Sequence, residues 1–585
     1  MPPPNARPPA ARRGSFSFRA NERSGRLRGG GADDSHNLEH QVTQPDPQHA
    51  RGGDFHVFDT TLRDGAQMEG LRYSVADKLA VAELLDDLGV DYIEGGWPGA
   101  IPSDTEFFSR AAEELNFKHA KLVAFGMTRR AGSSAVEDPG YQALLDSRAP
   151  VLCLVAKSDL RHVSQALRTT AEENLAMIAD SVRTGRDHER QVFIDCEHFF
   201  DGFRNDPDYA TLVVRTALEA GAEAVVLCDT NGGRIPSDIT EAVTELRRRL
   251  EADLPPERVR LGMHAQNDTG CAVANTLAAV QAGVMHVQGT ANGYGERPGN
   301  ANLFSVIANL ETKLGRKVLP DGGLEKLTRI SHAIAEIANM TPDEHAPYTG
   351  HAAFAHKAGI HASAIKADPA LYNHVDPVVV GNDMRILVTE MAGRASVELK
   401  GRELGIDLSG DKAALDRITA RVKELESKGW SFEAADASFE LLVRDEVEGG
   451  LPRPFTLDTY RVIVDHDPHG ATVAEATVRL HVNGEHGEAE EHRIATAQGN
   501  GPVNALDAAL RSALAARHPR LAELTLSDFK VRILAGSTGT DAVTRVLVSM
   551  SDGESEWTTV GVAPNLIEAS WNALADGLAY GLNRR

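Results

Sequence analysis

Six stretches of the chain place ionisable or amide side chains in or directly behind a short apolar run. Asp59-Thr60-Thr61-Leu62-Arg63-Asp64 follows HVF, Glu94 stands in DYIEGG, and Asp195 and Glu197 lie in VFIDCE. Asp229-Thr230-Asn231 ends AVVLCDT, and His264 ends VRLGMH with Gln266, Asn267 and Asp268 behind it. Asn292-Gly293-Tyr294-Gly295-Glu296-Arg297-Pro298-Gly299-Asn300 follows MHVQGT. Carboxylates, an imidazole, amides and two guanidinium groups are costly to bury without a ligand. Gathered in one place, they make a mixed nitrogen and oxygen site for one metal ion with a cation beside it. Singly, each has a plainer reading. Asp59 and Asp229 at strand ends serve as helix caps or turn formers. His264 can be structural, Glu197 can pair with an arginine, and the glycines of NGYGERPGN can be a turn and nothing more. Only convergence on one end of one fold makes the set a site.

The elements that must bring about that convergence are legible as a rhythm. From His56 onward eight β-rich apolar runs occur: HVFDT, DYIEGG, KLVAFG, VLCLVA, VFIDCE, AVVLCDT, VRLGMH and MHVQGT. Amphipathic stretches such as VADKLAVAELLDDLG, NLAMIADSVRTG and AVANTLAAVQAG separate them, which predicts parallel βαβ units. Eight units close most economically as an α/β fold of the (β/α)₈, or TIM barrel, type over residues 53–318, with working residues at the carboxyl ends of the strands. An open doubly wound sheet is the alternative, although GxGxxG is missing at the first strand–helix turn. Residues 319–437 read as helical linker subdomains, from LEKLTRISHAIAEIAN to KAALDRITARVKELESKG. Residues 438–585 read as alternating strands (FELLVRDEV, YRVIVDHD, ATVRLHVNG) leading into the helix GNGPVNALDAALRSAL. The pattern recurs in reduced form, FKVRILAG and TRVLVSMS leading into GVAPNLIEASWNALADGL, so this C-terminal α+β domain is expected to be internally duplicated. Residues 1–52, rich in Pro, Gly, Arg and Ser, read as a disordered tail, with a targeting peptide as the alternative.

The chain has 585 residues, and 61 Lys+Arg against 84 Asp+Glu give a formal charge of −23, which argues against a nucleic-acid partner. Four cysteines, none in a CxxC pair, fit neither a disulfide framework nor a thiolate zinc site. No apolar run approaches the ~18–20 residues of a membrane span. A soluble cytoplasmic protein with no membrane partner is expected.

Three of these motifs, FDTTLRDGAQ, HAQNDTG and NGYGERPGNANL, resemble the signatures of the family of 2-isopropylmalate, homocitrate and citramalate synthases. The resemblance runs from His56 to the C-terminus. IEGGWPGA, CEHFFDGF, HVQGTANGYGER and GNGPVNALDAAL are most similar to the citramalate branch. It implies a metal-dependent Claisen condensation in which acetyl-CoA is the co-substrate and a 2-keto acid the acceptor. Asp64, His264 and Asn300 become metal ligands, Arg63 the group that polarises the keto oxygen, and Glu197 the catalytic glutamate. Thr230 and Glu94 become substrate contacts and Glu296 a loop acid near the site. In AFAHKAGIHASAI and LYNHVDP, His361 and Tyr372 match residues that enter the partner subunit's active site.

The chain departs from the family where it usually reads His-x-His, for here it reads His264-Ala265-Gln266. A glutamine carbonyl is a harder donor than imidazole. As fourth ligand it shifts preference towards Mg²⁺ or Mn²⁺, with Zn²⁺ still possible; otherwise water completes the shell. Pyruvate as acceptor gives citramalate, on a route to isoleucine; 2-oxoisovalerate gives 2-isopropylmalate, on the route to leucine. The branch resemblance favours pyruvate, a homodimer, and isoleucine as effector of the end domain, the alternative being a dimerisation module without an effector. A hydroxymethylglutaryl-CoA-type lyase and a non-catalytic amino-acid sensor are the other readings.

Overall fold

The computed structural model describes residues 55–449, 453–466, 472–483, 491–534 and 542–584. The expected tail, residues 1–52, lies outside the described residues.

Eight parallel strands form a closed barrel: β1 (His56–Asp59), β2 (Tyr92–Gly96), β3 (Lys121–Met127), β4 (Val151–Lys157), β5 (Gln191–Glu197), β6 (Ala224–Asp229), β7 (Leu261–Ala265) and β8 (His286–Gly289). β1 pairs with β8 along its whole length, which excludes the open sheet. The strands are buried on both faces because helices cover the outside, hence the unbroken apolar runs in the sequence. Local chemistry sets the helix ends. The helix Val75–Leu88 starts at Ser74, whose hydroxyl accepts from the Asp77 N–H while the Asp77 carboxylate accepts from the Ser74 N–H in a capping box, and stops at left-handed Gly89 (φ 98°). Inside the barrel Phe193 packs edge-on against Phe58 and Tyr92, its centroid 4.9 Å from that of Tyr92, and His286 lies tilted against all three. Burial holds the His286 imidazole neutral. This plug leaves the carboxyl end as the face where polar side chains gather.

Beyond the barrel, two-residue strands β9 (Ala355–His356) and β10 (Arg385–Ile386) pair in parallel. The helices Arg394–Glu403, Lys412–Ser427 and Asp436–Glu448 enclose Val397, Ile418, Val422, Phe439 and Val443. FELLVRDEV, expected as a strand, lies in the last of these helices. Phe439, Leu442 and Val443 share one buried face at helical spacing, and that packing overrides the run's β-like composition.

The end domain holds two β₃α units. β11 (Phe455–His466), β12 (Thr472–Val482) and β13 (Glu491–Gly499) precede the helix Pro502–Leu514. β14 (Thr525–Ile533), β15 (Thr544–Ser551) and β16 (Glu556–Ala563) precede the helix Leu566–Asn583. The second unit is therefore not a reduced copy: EWTTVGVA supplies its third strand, and EHRIATAQG stands in the first unit where FELLVRDEV was expected, neither having been foreseen. Both units bury one sheet face and one helix face in a shared core that includes Val478, Leu480, Leu510, Val546, Val548 and Leu574.

Asp576, on the last helix, lies 3.5 Å from Arg453 and has its carboxyl pushed up to about 6, chiefly by burial and with Asp445 adding to it. A folded-state value above the usual 3.8 means that the folded chain holds this proton longer than the unfolded one. Stability therefore falls as pH rises from about 4 to about 6 and stays lowered above that. Asp576→Asn is expected to raise stability by about 1–3 kcal/mol at pH 8 and to give little gain at pH 4, read by thermal melts at both values.

Candidate active site

The site is built from the turn behind β1. The Thr60 carbonyl accepts from the backbone N–H of Arg63, Asp64 and Gly65, which swings Arg63 and Asp64 over the barrel mouth. Arg63 Nε donates to Glu94 Oε2 at 2.7 Å, and its guanidinium lies 3.9 Å above the Phe125 ring. Glu94 Oε2 also accepts from Thr60 Oγ1 at 2.5 Å. Burial works against the Arg63 charge, but Glu94, Asp64 and Asp195 outweigh it and keep the guanidinium protonated. Burial also opposes ionisation of Asp64, and Arg63 and His264 more than offset it, holding that carboxyl far below its usual value. Arg63 is thus a fixed cation with its fork facing the cavity, and Asp64 a fixed anion beside it.

Three further ligand side chains, His264, Gln266 and Asn300, crowd against Asp64. His264 Nε2 stands 3.1 Å from Asp64 Oδ2. The Gln266 side-chain nitrogen lies 3.1 Å from Asp64 Oδ2, 3.0 Å from Asn300 Oδ1 and 3.4 Å from His264 Nε2. Three acceptors thus surround one amide, whose own oxygen is buried without a hydrogen-bond partner. An orphaned buried carbonyl costs about 1–3 kcal/mol. Turning the amide over would aim its oxygen at the same three acceptors, an arrangement that a cation between them would satisfy. One carboxylate, one imidazole and two amide oxygens fit a hard divalent ion.

Neighbouring side chains fix these donors. His264 Nδ1 lies 2.8 Å from Gln288 Oε1, which can only accept, and Gln288 Nε2 donates to Asp195 Oδ1 at 3.0 Å. That chain places the imidazole proton on Nδ1 and leaves Nε2 to face Asp64 and Gln266. Asn300 Nδ2 donates to the Tyr294 carbonyl at 3.0 Å. A side chain at Gly299 (φ 94°) would collide with the Gly293 carbonyl, and one at Gly295 (φ 150°) with Asn300 Nδ2. The glycines of NGYGERPGN are a turn, and the turn is what wraps Asn300.

A cavity of about 550 Å³ opens above them, lined by Arg63, Asp64, Glu197, Thr230, His264, Gln266 and Glu296 among polar residues and by Trp97, Phe125 and Val155 among apolar ones. Glu197, at the end of β5, forms an ion pair with Lys157 from the end of β4. Thr230 Oγ1 accepts from the His198 N–H at 2.8 Å, so its own O–H is left to donate.

Arg63, Asp64, Asp195, Glu197, Thr230, His264, Gln266, Glu296 and Arg297, all singled out from sequence, therefore share one cavity, and Asn300 lies directly behind Gln266. Glu94 does not line it: fully buried, it holds Arg63 in place where a substrate contact was expected. His361, on the helix Gly359–Ala367, and Tyr372 stack on each other with ring centroids 4.1 Å apart, and neither lines the cavity. Asp59 and Asp229 form turns, accepting from Thr61 and from the Gly233 and Arg234 N–H groups. Lys157, Gln288 and Phe125 were not singled out. A lysine closing VLCLVAK was the one visible signal.

Comparison with known proteins follows the same division of the chain. Residues 54–334 match the HMGL-like family model, 348–429 the homocitrate synthase post-HMGL domain-like model, and 433–582 the LeuA allosteric (dimerisation) domain model. An (R)-citramalate synthase of Streptomyces coelicolor is 62% identical over 91% of this chain and 97% of its own. The chain belongs to the family of citramalate, 2-isopropylmalate and homocitrate synthases. An (R)-citramalate synthase of Aquifex aeolicus is 47% identical over 90% of this chain and 97% of its own. A 2-isopropylmalate synthase of Methanocaldococcus jannaschii is 30% identical over 91% and 95%. Among the described residues no helix is long and apolar enough to cross a membrane.

Proposed function

We propose that the chain is a cytoplasmic (R)-citramalate synthase that condenses acetyl-CoA with pyruvate to citramalate and CoA. The observation that carries this reading is the contrast among relatives, 62% identity to a citramalate synthase against 30% to a 2-isopropylmalate synthase, over nearly the same span. The convergence of Arg63, Asp64, Glu197, Thr230 and His264 on one cavity supports it.

Asp64, His264, Gln266 and Asn300 would hold a divalent ion, Mg²⁺ or Mn²⁺ in preference to Zn²⁺, which supplies Lewis acidity towards the keto acid. Arg63 donates to the keto oxygen and stabilises the negative charge that grows there. Glu94 and Phe125 hold its plane in advance, so little reorganisation is needed as the charge forms. The Thr230 hydroxyl donates to the pyruvate carboxylate. Glu197 takes a proton from the acetyl methyl group, directly or through water and the partner subunit's His361. The resulting enolate carbon attacks the keto carbon, Arg63 faces the new alkoxide until it takes back the proton that Glu197 removed, and water then cleaves the thioester to a carboxylate, the free thiol of CoA and one proton.

The dimer implied by this scheme is supported by the LeuA match and by the outer sheet faces, which expose Leu457, Val464, Ile494, Leu526, Val531 and Ile533. It is also supported by the His361–Tyr372 pair, which stands away from its own chain's cavity. Isoleucine is the effector that suits this product.

The test is turnover of the two keto acids side by side. Discrimination by one or two carbons amounts to about 1–3 kcal/mol, or roughly 10–200-fold in kcat/KM, in favour of pyruvate. Faster turnover of 2-oxoisovalerate would sink the assignment. In the same assay isoleucine lowers the rate, and the absence of any effect on rate or melting temperature would leave the end domain as a dimerisation module alone.

A further inference from the structure

A second group of metal-ligating side chains lies beside Glu197. His162, on the helix Leu160–Gln165, and His198, directly after β5, have ring centroids 4.1 Å apart at an interplanar angle of 31°. One ligand atom from each of His162, His198 and Glu197 lies within 4.8 Å of the other two. Bonds of about 2.0–2.2 Å hold ligand atoms up to about 4.4 Å apart, so small side-chain rotations would bring all three onto one ion.

We propose that His162, His198 and Glu197 form a second cation site, selective for borderline ions such as Zn²⁺ over Mg²⁺, whose filling withdraws Glu197 from the reaction. Two imidazoles and one carboxylate are the donors that Zn²⁺ prefers and Mg²⁺ avoids, the opposite of the oxygen-rich set around Gln266. His198 is held for this role. Its backbone is left-handed (φ 57°), uncommon for a residue with a side chain, and its N–H is fixed on Thr230 Oγ1. Its Nδ1 is buried without a hydrogen-bond partner, and the nearest carboxylate oxygen on its own helix, Asp201 Oδ2, is 3.8 Å away. Burial, with His162 and Lys157 nearby, depresses the His198 pKa and keeps the ring neutral, the form that ligates. Glu197 now pairs with Lys157; filling the site exchanges one cationic partner for another.

The existence of the site is independent of the proposed function, whereas its inhibitory effect rests on the role given there to Glu197. The experiment is Zn²⁺ titration of the chelator-stripped full chain by calorimetry, with bound zinc counted after dialysis, for the wild type, His162→Ala, His198→Asn and Asp64→Asn. Asparagine keeps a residue that tolerates positive φ. His162→Ala and His198→Asn are each expected to bind one Zn²⁺ fewer than wild type. Asp64→Asn also binds one fewer, lost from the other site. In Mn²⁺-supported turnover, His162→Ala keeps the wild-type rate, and the Zn²⁺ concentration needed for half-inhibition rises at least about tenfold. Wild-type zinc content in both histidine variants overturns the second site. Loss of the ion from both with Zn²⁺ inhibition unaltered overturns the withdrawal of Glu197. Full zinc content in Asp64→Asn, with one ion lost in His162→Ala, upholds the second site and counts against the catalytic ion instead.

Discussion

Arg63→Gln is expected to lower kcat by about 10²–10³-fold while changing the KM for acetyl-CoA little. The basis is geometric. The guanidinium is clamped by Glu94 on one side and the Phe125 ring on its face, and it borders the cavity beside Asp64. Removing one fixed donor aimed at a developing oxyanion costs about 2.7–4 kcal/mol. The substitution also leaves Glu94 in a fully buried position without its cation, and breaking such a pair costs about 3–5 kcal/mol of stability. The double variant Arg63→Gln/Glu94→Gln separates the two effects: its melting temperature recovers towards wild type and its kcat does not. Arg63→Lys is no remedy, because a lysine cannot keep Glu94 and the keto oxygen on one rigid fork. A kcat within threefold of wild type in the folded single variant would contradict the role given to Arg63.

Asp64→Asn is expected to lower the rate at least as far, by about 10³-fold or more. Asp64 supplies the single negative charge among the four clustered donors, and its carboxyl is held far below the usual carboxylate range. Asparagine conserves shape and removes that charge. The affinity for Mn²⁺, measured by calorimetry on chelator-stripped protein, falls by about 100-fold or more, and with it the several kcal/mol of charge stabilisation that the ion supplies. Gln288→Met, which breaks the link between His264 and Asp195, acts in the same direction and less severely. Mn²⁺ binding by Asp64→Asn at wild-type affinity would place the ion elsewhere.

The barrel was legible because a strand covered on both faces leaves an uninterrupted apolar run, and six of the eight runs carried the polar residues that a barrel mouth collects. Closure was not legible: the β1–β8 pairing joins His56 to His286, and nothing local records it. FELLVRDEV misled because Leu441, Leu442 and Val443 are consecutive, which hides the helical phase that Phe439, Leu442 and Val443 follow once packed. Within the site, residues on named motifs could be found, but their second partners could not. Glu94 is a carboxylate at a strand end like Glu197, yet one is sealed beneath Arg63 and the other opens on the cavity. Lys157 and Gln288 escaped because a single lysine or glutamine on a strand carries no pattern, and their meaning comes from the neighbours Glu197 and His264. Gln266 was conspicuous as a departure, and its unpartnered oxygen gives that departure a physical reading.

The most direct measurement is release of CoA thiol from acetyl-CoA and pyruvate by chelator-stripped full-length protein, with Mg²⁺, Mn²⁺ or Zn²⁺ added back and citramalate measured as product. Release that requires pyruvate and Mg²⁺ or Mn²⁺, with one citramalate formed per thiol, is the expected result. No thiol release with pyruvate under any of the three ions would contradict the assignment of this barrel mouth as a citramalate-forming site.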